Sequence, residues 1–304
     1  MKIILAGATG FIGTALAELL HREGHALTLL TRVKKPLTLS GATTIVWQPG
    51  SSGDWRPALD DAMTDADGVI NLAGESIAAG RWSEARKEKL RASRIETTRA
   101  LVDSIANALG SVKFLLNASA VGYYGPRGDE IVTEREPPGS DFLARLCRDW
   151  EAEALRAEGS GARVVLLRTG IVLGRNGGAL TKMVPPFKFF LGGPLGSGRQ
   201  WMPWIHLEDE IGLIEFLIRS NARGAVNATA PEPVRMKEFC ATLGKTLRRP
   251  SWAPVPAFVL RLAFGEMADV LLTGQRAVPA EAERHGYRFR YAALREALEN
   301  IVRV

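Results

Sequence analysis

Between Lys2 and Ala6 the chain reads Lys-Ile-Ile-Leu-Ala, a short β-branched apolar run closed by Gly7, which predicts a buried parallel strand. The period then lengthens. Ile12, Leu16, Leu19 and Leu20 fall on one face of a helix over Phe11 to Arg22, and Gly24 stops it. A second strand over Ala26 to Thr31 completes a βαβ unit within about 30 residues. The alternation continues with strands at Thr43 to Trp47, Asp67 to Ala73, Lys113 to Ala118 and Arg163 to Arg168. Helices fall at Ser83 to Leu109 and Asp141 to Glu158. Strands separated by helices predict an α/β fold built on a Rossmann-like doubly wound parallel sheet.

After about Gly174 the rhythm breaks. Turns at Gly192-Gly193-Pro194 and Gly196-Ser197-Gly198 precede a region cut by Pro231, Pro233, Pro250, Pro254 and Pro256. Short helices at Glu210 to Arg219, Met236 to Leu243 and Ala293 to Val302 predict a smaller, less regular lobe. The expected division is a sheet domain over residues 1–174, with parts of 200–230 free to return to it, and a small C-terminal substrate lobe over 175–304. A cleft is expected at the carboxyl ends of the strands.

Composition narrows the class. The 304 residues are 46% hydrophobic and 24% charged, ordinary for a globular chain that buries a core without staples. Lys and Arg number 39 against 33 Asp and Glu, a net +6 that is scattered, with no like-charge block and no aromatic stripe. That pattern predicts no nucleic-acid partner and equally fits a pocket for a phosphorylated small molecule. The two cysteines, Cys147 and Cys240, are far apart, which excludes a disulfide scaffold and a zinc cluster, predicts no metal, and fits a reducing compartment. No apolar run is long enough to span a bilayer, and glycines interrupt the N-terminal stretch, which lacks the frame of an export signal. A cytoplasmic chain with no membrane partner is expected.

The strongest chemical signal is Gly7-Ala8-Thr9-Gly10-Phe11-Ile12-Gly13, set between the first strand and the first helix. Gly7 permits the sharp turn, Gly10 lets backbone approach a pyrophosphate, and Gly13 allows close helix-on-strand packing. Phosphates then meet the free N–H groups of the helix start. A tight turn with no ligand is the alternative reading. The end of the second strand selects the dinucleotide. An acidic residue there binds the ribose 2′-hydroxyl of NAD, but this chain has Thr31-Arg32, with Lys34 and Lys35 behind. A guanidinium clamps a 2′-phosphate, so NADP is the expected cofactor.

Several further segments are distinctive. They are Asn71-Leu72-Ala73-Gly74-Glu75, Arg81-Trp82, Ser93-Arg94-Ile95-Glu96-Thr97-Thr98, Gly122-Tyr123-Tyr124-Gly125, Arg168 to Gly174 and Trp204-Ile205-His206-Leu207-Glu208-Asp209. With the glycine turn and Ser119, they make the chain resemble extended short-chain dehydrogenases/reductases, and more closely the atypical subgroup called epimerase family proteins. The stretch from about Pro250 to Leu298 resembles that subgroup's terminal domain. The resemblance implies an NADP-binding domain and a small-molecule substrate. Gly7, Thr9, Gly10, Phe11 and Ile12 would line the pyrophosphate, and Thr31 with Arg32 the adenosine phosphate. Leu72, Ala73, Gly74 and Glu75 would lie along the ribose and nicotinamide side, with Arg81 reaching back to the cofactor. A surface ion pair between Glu75 and Arg81 is the plainer alternative.

The catalytic pattern departs from that of the larger family. Its tyrosine and lysine, the proton donor and the group that tunes it, fall at Leu143 and Cys147, and its helix-borne asparagine falls at Arg94. Ser119 alone is kept. The replacement candidates are Tyr124 or Tyr123 as proton donor, Ser119 as hydrogen-bond donor and Arg94 as electrostatic partner. Cys147 reads as a small buried hydrophobe and His206 as structural. Two functions compete: an NADP-dependent oxidoreductase or nucleotide-sugar epimerase-like enzyme on a small polar substrate, or an inactive regulator that senses NADP(H). Helices 83–109 and 141–158 resemble the pair through which relatives dimerise, so a homodimer is an open expectation.

Overall fold

The computed structural model describes residues 1–32, 39–51, 53–108 and 110–302; Lys34 and Lys35 lie outside them. Seven strands form one wholly parallel sheet: β1 (Lys2–Ala6), β2 (Ala26–Thr31), β3 (Thr43–Val46), β4 (Gly68–Asn71), β5 (Phe114–Ala120), β6 (Arg163–Thr169) and β7 (Gly224–Ala228). Their order is β7-β6-β5-β4-β1-β2-β3. The order reverses between β1 and β4, the switch point at which open α/β sheets bind ligands.

Alternate residues of each strand feed two core layers. Ile3 and Leu5 pack with Leu16 and Leu20 of α1 (Phe11–Arg22), while Ile4 and Ala6 face the other way. That second layer is closed by α2 (Trp55–Thr64), α3 (Glu84–Asn107) and the segment that follows α4 (Phe142–Leu155). Trp55, Leu59 and Met63 recur every four residues and form the buried face of α2, a helix that its acidic, proline-bearing sequence obscures. Side by side, α3 and α4 are tied by ion pairs Arg91–Asp149, Arg99–Glu153 and, just beyond α4, Arg156–Asp103.

Residues 200–230, left open between the two domains, are divided by packing. The helix read as part of the smaller lobe, α6 (Leu207–Arg219, after α5 at Leu180–Lys188), packs on α1 through Leu213, Ile214 and Leu217. It leads into β7, which extends the main sheet beside β6. The return therefore takes in residues 207–228, and the apolar content of Gly224–Ala228 is too slight to show this as periodicity.

The C-terminal lobe has its own core, where Trp204, Phe239, Leu243 and Leu298 meet between α7 (Met236–Leu247), α5 and a last helix over Leu294–Val302. Two short helices, α8 (Ala257–Phe264) and α9 (Ala268–Leu272), stand over the carboxyl side of the sheet, where Arg81 and Lys87 reach them. No helix among the described residues is long and apolar enough to cross a membrane.

Candidate functional site

The three glycines differ in why they are needed. Gly7 has φ +84°, and a Cβ there would lie 2.7 Å from the backbone carbon of Leu72. A Cβ on Gly13 would overlap the Gly7 carbonyl. Gly10 faces open space, with only the Gly7 carbonyl oxygen at 3.3 Å. It is the N-cap of α1, in extended conformation, with no side chain capping the helix and no acid in the first turn. The first N–H groups of α1, from Phe11 to Gly13, thus open towards the cleft without a competing oxygen. The side chains of Phe11 and Ile12 instead pack into the core, Phe11 against Gly174 and Gly177.

A cleft of about 540 Å³ runs from this turn. Thr9, Thr31, Arg32 and the run Leu72, Ala73, Gly74 and Glu75 line it with Gly7 and Gly10. Asn71 shapes that run: its amide donates to Asn117 Oδ1 at 2.7 Å and to Thr98 Oγ1 at 2.9 Å, and its own Oδ1 accepts from the Ala73 N–H at 3.1 Å. Sequence reasoning missed Trp47, Gln48 and Pro49, which follow β3, and Ser93, Glu96 and Thr97 of α3. Their signal was positional, since the chain after β3 must lie beside the end of β2. Arg32 Nη1 donates to Glu75 Oε1 at 3.0 Å and Arg86 Nη1 to Oε2 at 3.3 Å. Arg32 is the larger reason why the Glu75 carboxyl is held below its usual range.

A second cavity of about 520 Å³ adjoins this cleft at Arg94. Arg94 Nη2 donates to the Glu75 carbonyl and Nη1 to that of Leu90, both at 3.0 Å. Its guanidinium carbon would lie 3.2 Å from a Cβ on Gly74, which lines the cleft. Ser119, Leu143 and Cys147 line the cavity too, so the one kept and three altered tetrad positions meet on its walls. Behind them, Ser119 Oγ donates to Glu151 Oε1 at 2.7 Å, and Arg168 grips Glu151 with two bonds of 2.8 Å. Arg168 and Glu151 are both buried. Burial also pushes the Cys147 thiol up to about 12, leaving it protonated and poorly nucleophilic at neutral pH.

Two expected roles, those of Tyr124 and Arg81, are corrected by position. Tyr124 is fully buried and does not line the cavity; its hydroxyl donates to Asn227 Oδ1 at 2.6 Å and accepts from Arg168 Nη1 at 3.0 Å. Burial pushes that hydroxyl up to about 12, so Tyr124 holds the core rather than a substrate proton. Arg81 meets neither the dinucleotide cleft nor Glu75: its Nη1 donates to the Leu262 carbonyl at 2.8 Å, joining the lobes. Glu75 takes Arg32 and Arg86 instead, because they come from elements flanking the cleft. His206 is structural, as Nδ1 accepts from the Glu208 N–H at 3.1 Å and caps α6. A residue not anticipated is Glu210, fully buried, with Oε1 accepting from Thr169 Oγ1 at 2.9 Å and Oε2 without a hydrogen-bond partner among the described residues.

A doubly wound parallel sheet, an uncapped glycine turn at its switch point and a tetrad wall next door define a Rossmann-type scaffold of the short-chain dehydrogenase/reductase kind. The NAD dependent epimerase/dehydratase family matches residues 3–229, and a domain of unknown function (DUF1731) matches 255–301. The chain belongs to the NAD dependent epimerase/dehydratase family. It is 45% identical to epimerase family protein Mb2239 of Mycobacterium bovis, over 97% of this chain and 96% of that protein. It is 42% identical to the chloroplastic epimerase family protein SDR39U1 homolog of Arabidopsis thaliana, over 99% of this chain and 87% of that one. Human epimerase family protein SDR39U1 (isoform 2), crystallised with NADPH, superposes with a TM-score of 0.88 at 36% identity, over 100% of this chain and 99% of the other.

Proposed function

We propose that this chain is an NADP(H)-dependent oxidoreductase of short-chain type. The observation that carries this reading is the junction at Arg94, where a cleft built for a dinucleotide meets a cavity walled by Ser119, Leu143 and Cys147. The cleft fits NADP. The uncapped start of α1 and the space over Gly10 would take the pyrophosphate, Thr31 and Arg32 the adenosine 2′-phosphate, and Leu72 to Glu75 the ribose and nicotinamide side. Human SDR39U1, with NADPH, supports the same choice. Bound there, the nicotinamide supplies or accepts a hydride.

The chain's own residues do the rest. Ser119 presents a hydroxyl at the wall; its one hydrogen goes to Glu151, so a substrate oxygen competes with that carboxylate for it. Arg168 neutralises Glu151, which keeps a second negative charge from building up behind the reacting oxygen. Arg94 adds fixed positive charge where the two spaces meet. Cys147, as a neutral thiol, fills space.

A second reading has its own support: Leu143 and Cys147 leave the cavity wall without the usual acid, which suits a sensor of NADP(H) that turns nothing over. Following NADPH oxidation across a carbonyl panel, with calorimetry of NADPH in parallel, separates the two. Turnover supports the enzyme, and tight binding with no turnover anywhere on the panel supports the sensor. Buried, unpaired Cys147 and Cys240 favour a reducing compartment, and we place the chain in the cytoplasm. A homodimer through α3 and α4 belongs to the same proposal and is checked by light scattering.

A further inference from the structure

Most of the second cavity is apolar: Trp82, Phe142, Leu146, Trp150, Trp201 and Val270 all face it. Its charges are set against an anion. Among the described residues that line it the one cation is Arg94, whose guanidinium already donates to two carbonyl oxygens. Three carboxylates line it as well, Asp141, Glu266 and Asp269. Asp141 closes the start of α4 by accepting from the Ala144 N–H at 2.8 Å, so that helix terminus is not open to a phosphate. Two neighbouring cations are paired with these carboxylates. Lys87 is 2.5 Å from Glu266 and Arg261 is 3.4 Å from Asp269. Arg235 and Arg276 do not line the cavity; they lie over the Trp201 ring, 4.6 and 4.8 Å from its centre, and Arg235 also holds Asp129.

A diphosphate entering this space would shed water, meet Arg94 as the one cation among the described lining residues, and approach three carboxylates, two of them already paired. An anion stripped of water without a partner is strongly disfavoured. An uncharged molecule gains from the same walls in proportion to the apolar surface it buries. Resting on the reading of this cavity as the substrate site of an NADP(H)-binding chain, we propose that its substrate is a compact, mainly apolar, uncharged molecule that turns one oxygen towards Ser119, and that nucleoside-diphosphate sugars are excluded. This reading is an alternative to the small polar substrate expected from the sequence.

The test reads binding, so it does not depend on turnover. NADPH is first titrated into the full chain by calorimetry. Acetophenone and UDP-glucose are then titrated separately into the NADPH-saturated protein, followed by tryptophan emission, to which Trp82, Trp150 and Trp201 contribute, and by calorimetry. Acetophenone is expected to saturate with a Kd at or below about 1 mM, and UDP-glucose to show no binding at the same concentration. Leu143→Arg should weaken acetophenone at least about tenfold while NADPH affinity, the check on folding, stays within about twofold. If that variant loses NADPH, Val270→Asp, on the wall given by the C-terminal lobe, takes its place. Saturable binding of UDP-glucose, or none of acetophenone to the NADPH-loaded chain, overturns the inference. Failure of NADPH itself to bind overturns the cofactor reading and this inference with it, and the first titration tells the two failures apart.

Discussion

Arg32 illustrates what a single side chain can decide. Its side chain is 72% exposed and held by Glu75, so a 2′-phosphate must draw it away from that carboxylate. Reversing the charge with Arg32→Glu should weaken NADPH by a few kcal/mol, about a hundredfold, and leave NADH the better ligand by calorimetry. Equal NADPH affinity in the variant and the parent would remove Arg32 from the site. At the cavity, Ser119→Ala should lower turnover by about 10²–10³-fold, the usual loss of one donor to a developing oxyanion, whereas Cys147→Ala should keep most of it. Tyr124→Phe belongs to a different class. It leaves Asn227 and Arg168 each short of a buried partner, so stability should drop by about 1–3 kcal/mol in urea titrations while kcat holds. A collapse of kcat in stable Tyr124→Phe protein would restore that tyrosine as the acid. The residue types at the tetrad positions were legible in sequence. That Tyr124 turns inward was not, because the direction of a side chain in the short helix after β5 depends on what packs around it.

The first βα unit shows why glycines seven, ten and thirteen cannot be treated alike. Gly10→Val puts a branched side chain into the space over the turn and asks only a slight give of the Gly7 carbonyl, so it should abolish NADPH binding and leave the melting temperature within a few degrees. Gly13→Val drives the same side chain into the Gly7 carbonyl and should instead lose stability, by about 1–3 kcal/mol or more, as overpacking does. Circular dichroism melts beside calorimetry distinguish the two, and equal destabilisation by both would contradict the separate roles. This unit was readable because strand, turn and helix are contiguous, and local periodicity with glycine spacing specifies all three. The helix α2 and strand β7 were not read. One hides three apolar positions among acids, and the other is a strand only because β6 offers an edge for it.

At the scale of the molecule, Glu210 couples the two layers to pH. Burial between α6 and the end of β6 pushes its carboxyl up to about 8 from an ordinary 4.5, against the smaller pull of the Thr169 hydroxyl. Below the unfolded value both states hold the proton and no penalty arises. Between the two values the unfolded chain releases a proton that the folded chain keeps, so stability falls as pH rises, by about 1.4 kcal/mol per pH unit. Glu210→Gln should remove this slope: melting temperatures equal to the parent's near pH 4 and progressively higher than it towards pH 8. Parallel curves across that range would show that Glu210 does not ionise on unfolding. The sequence by itself determined the parallel sheet, the phosphate turn and the preference implied by Arg32, because each is written within a few consecutive residues. Only the tertiary structure decided that residues 207–228 rejoin the sheet, that Arg81 binds the far lobe, that Ser119 rests on a buried ion pair and that the second cavity is apolar. Those features arise from residues up to 181 positions apart, brought together by burial of the common core, and no local period records such meetings.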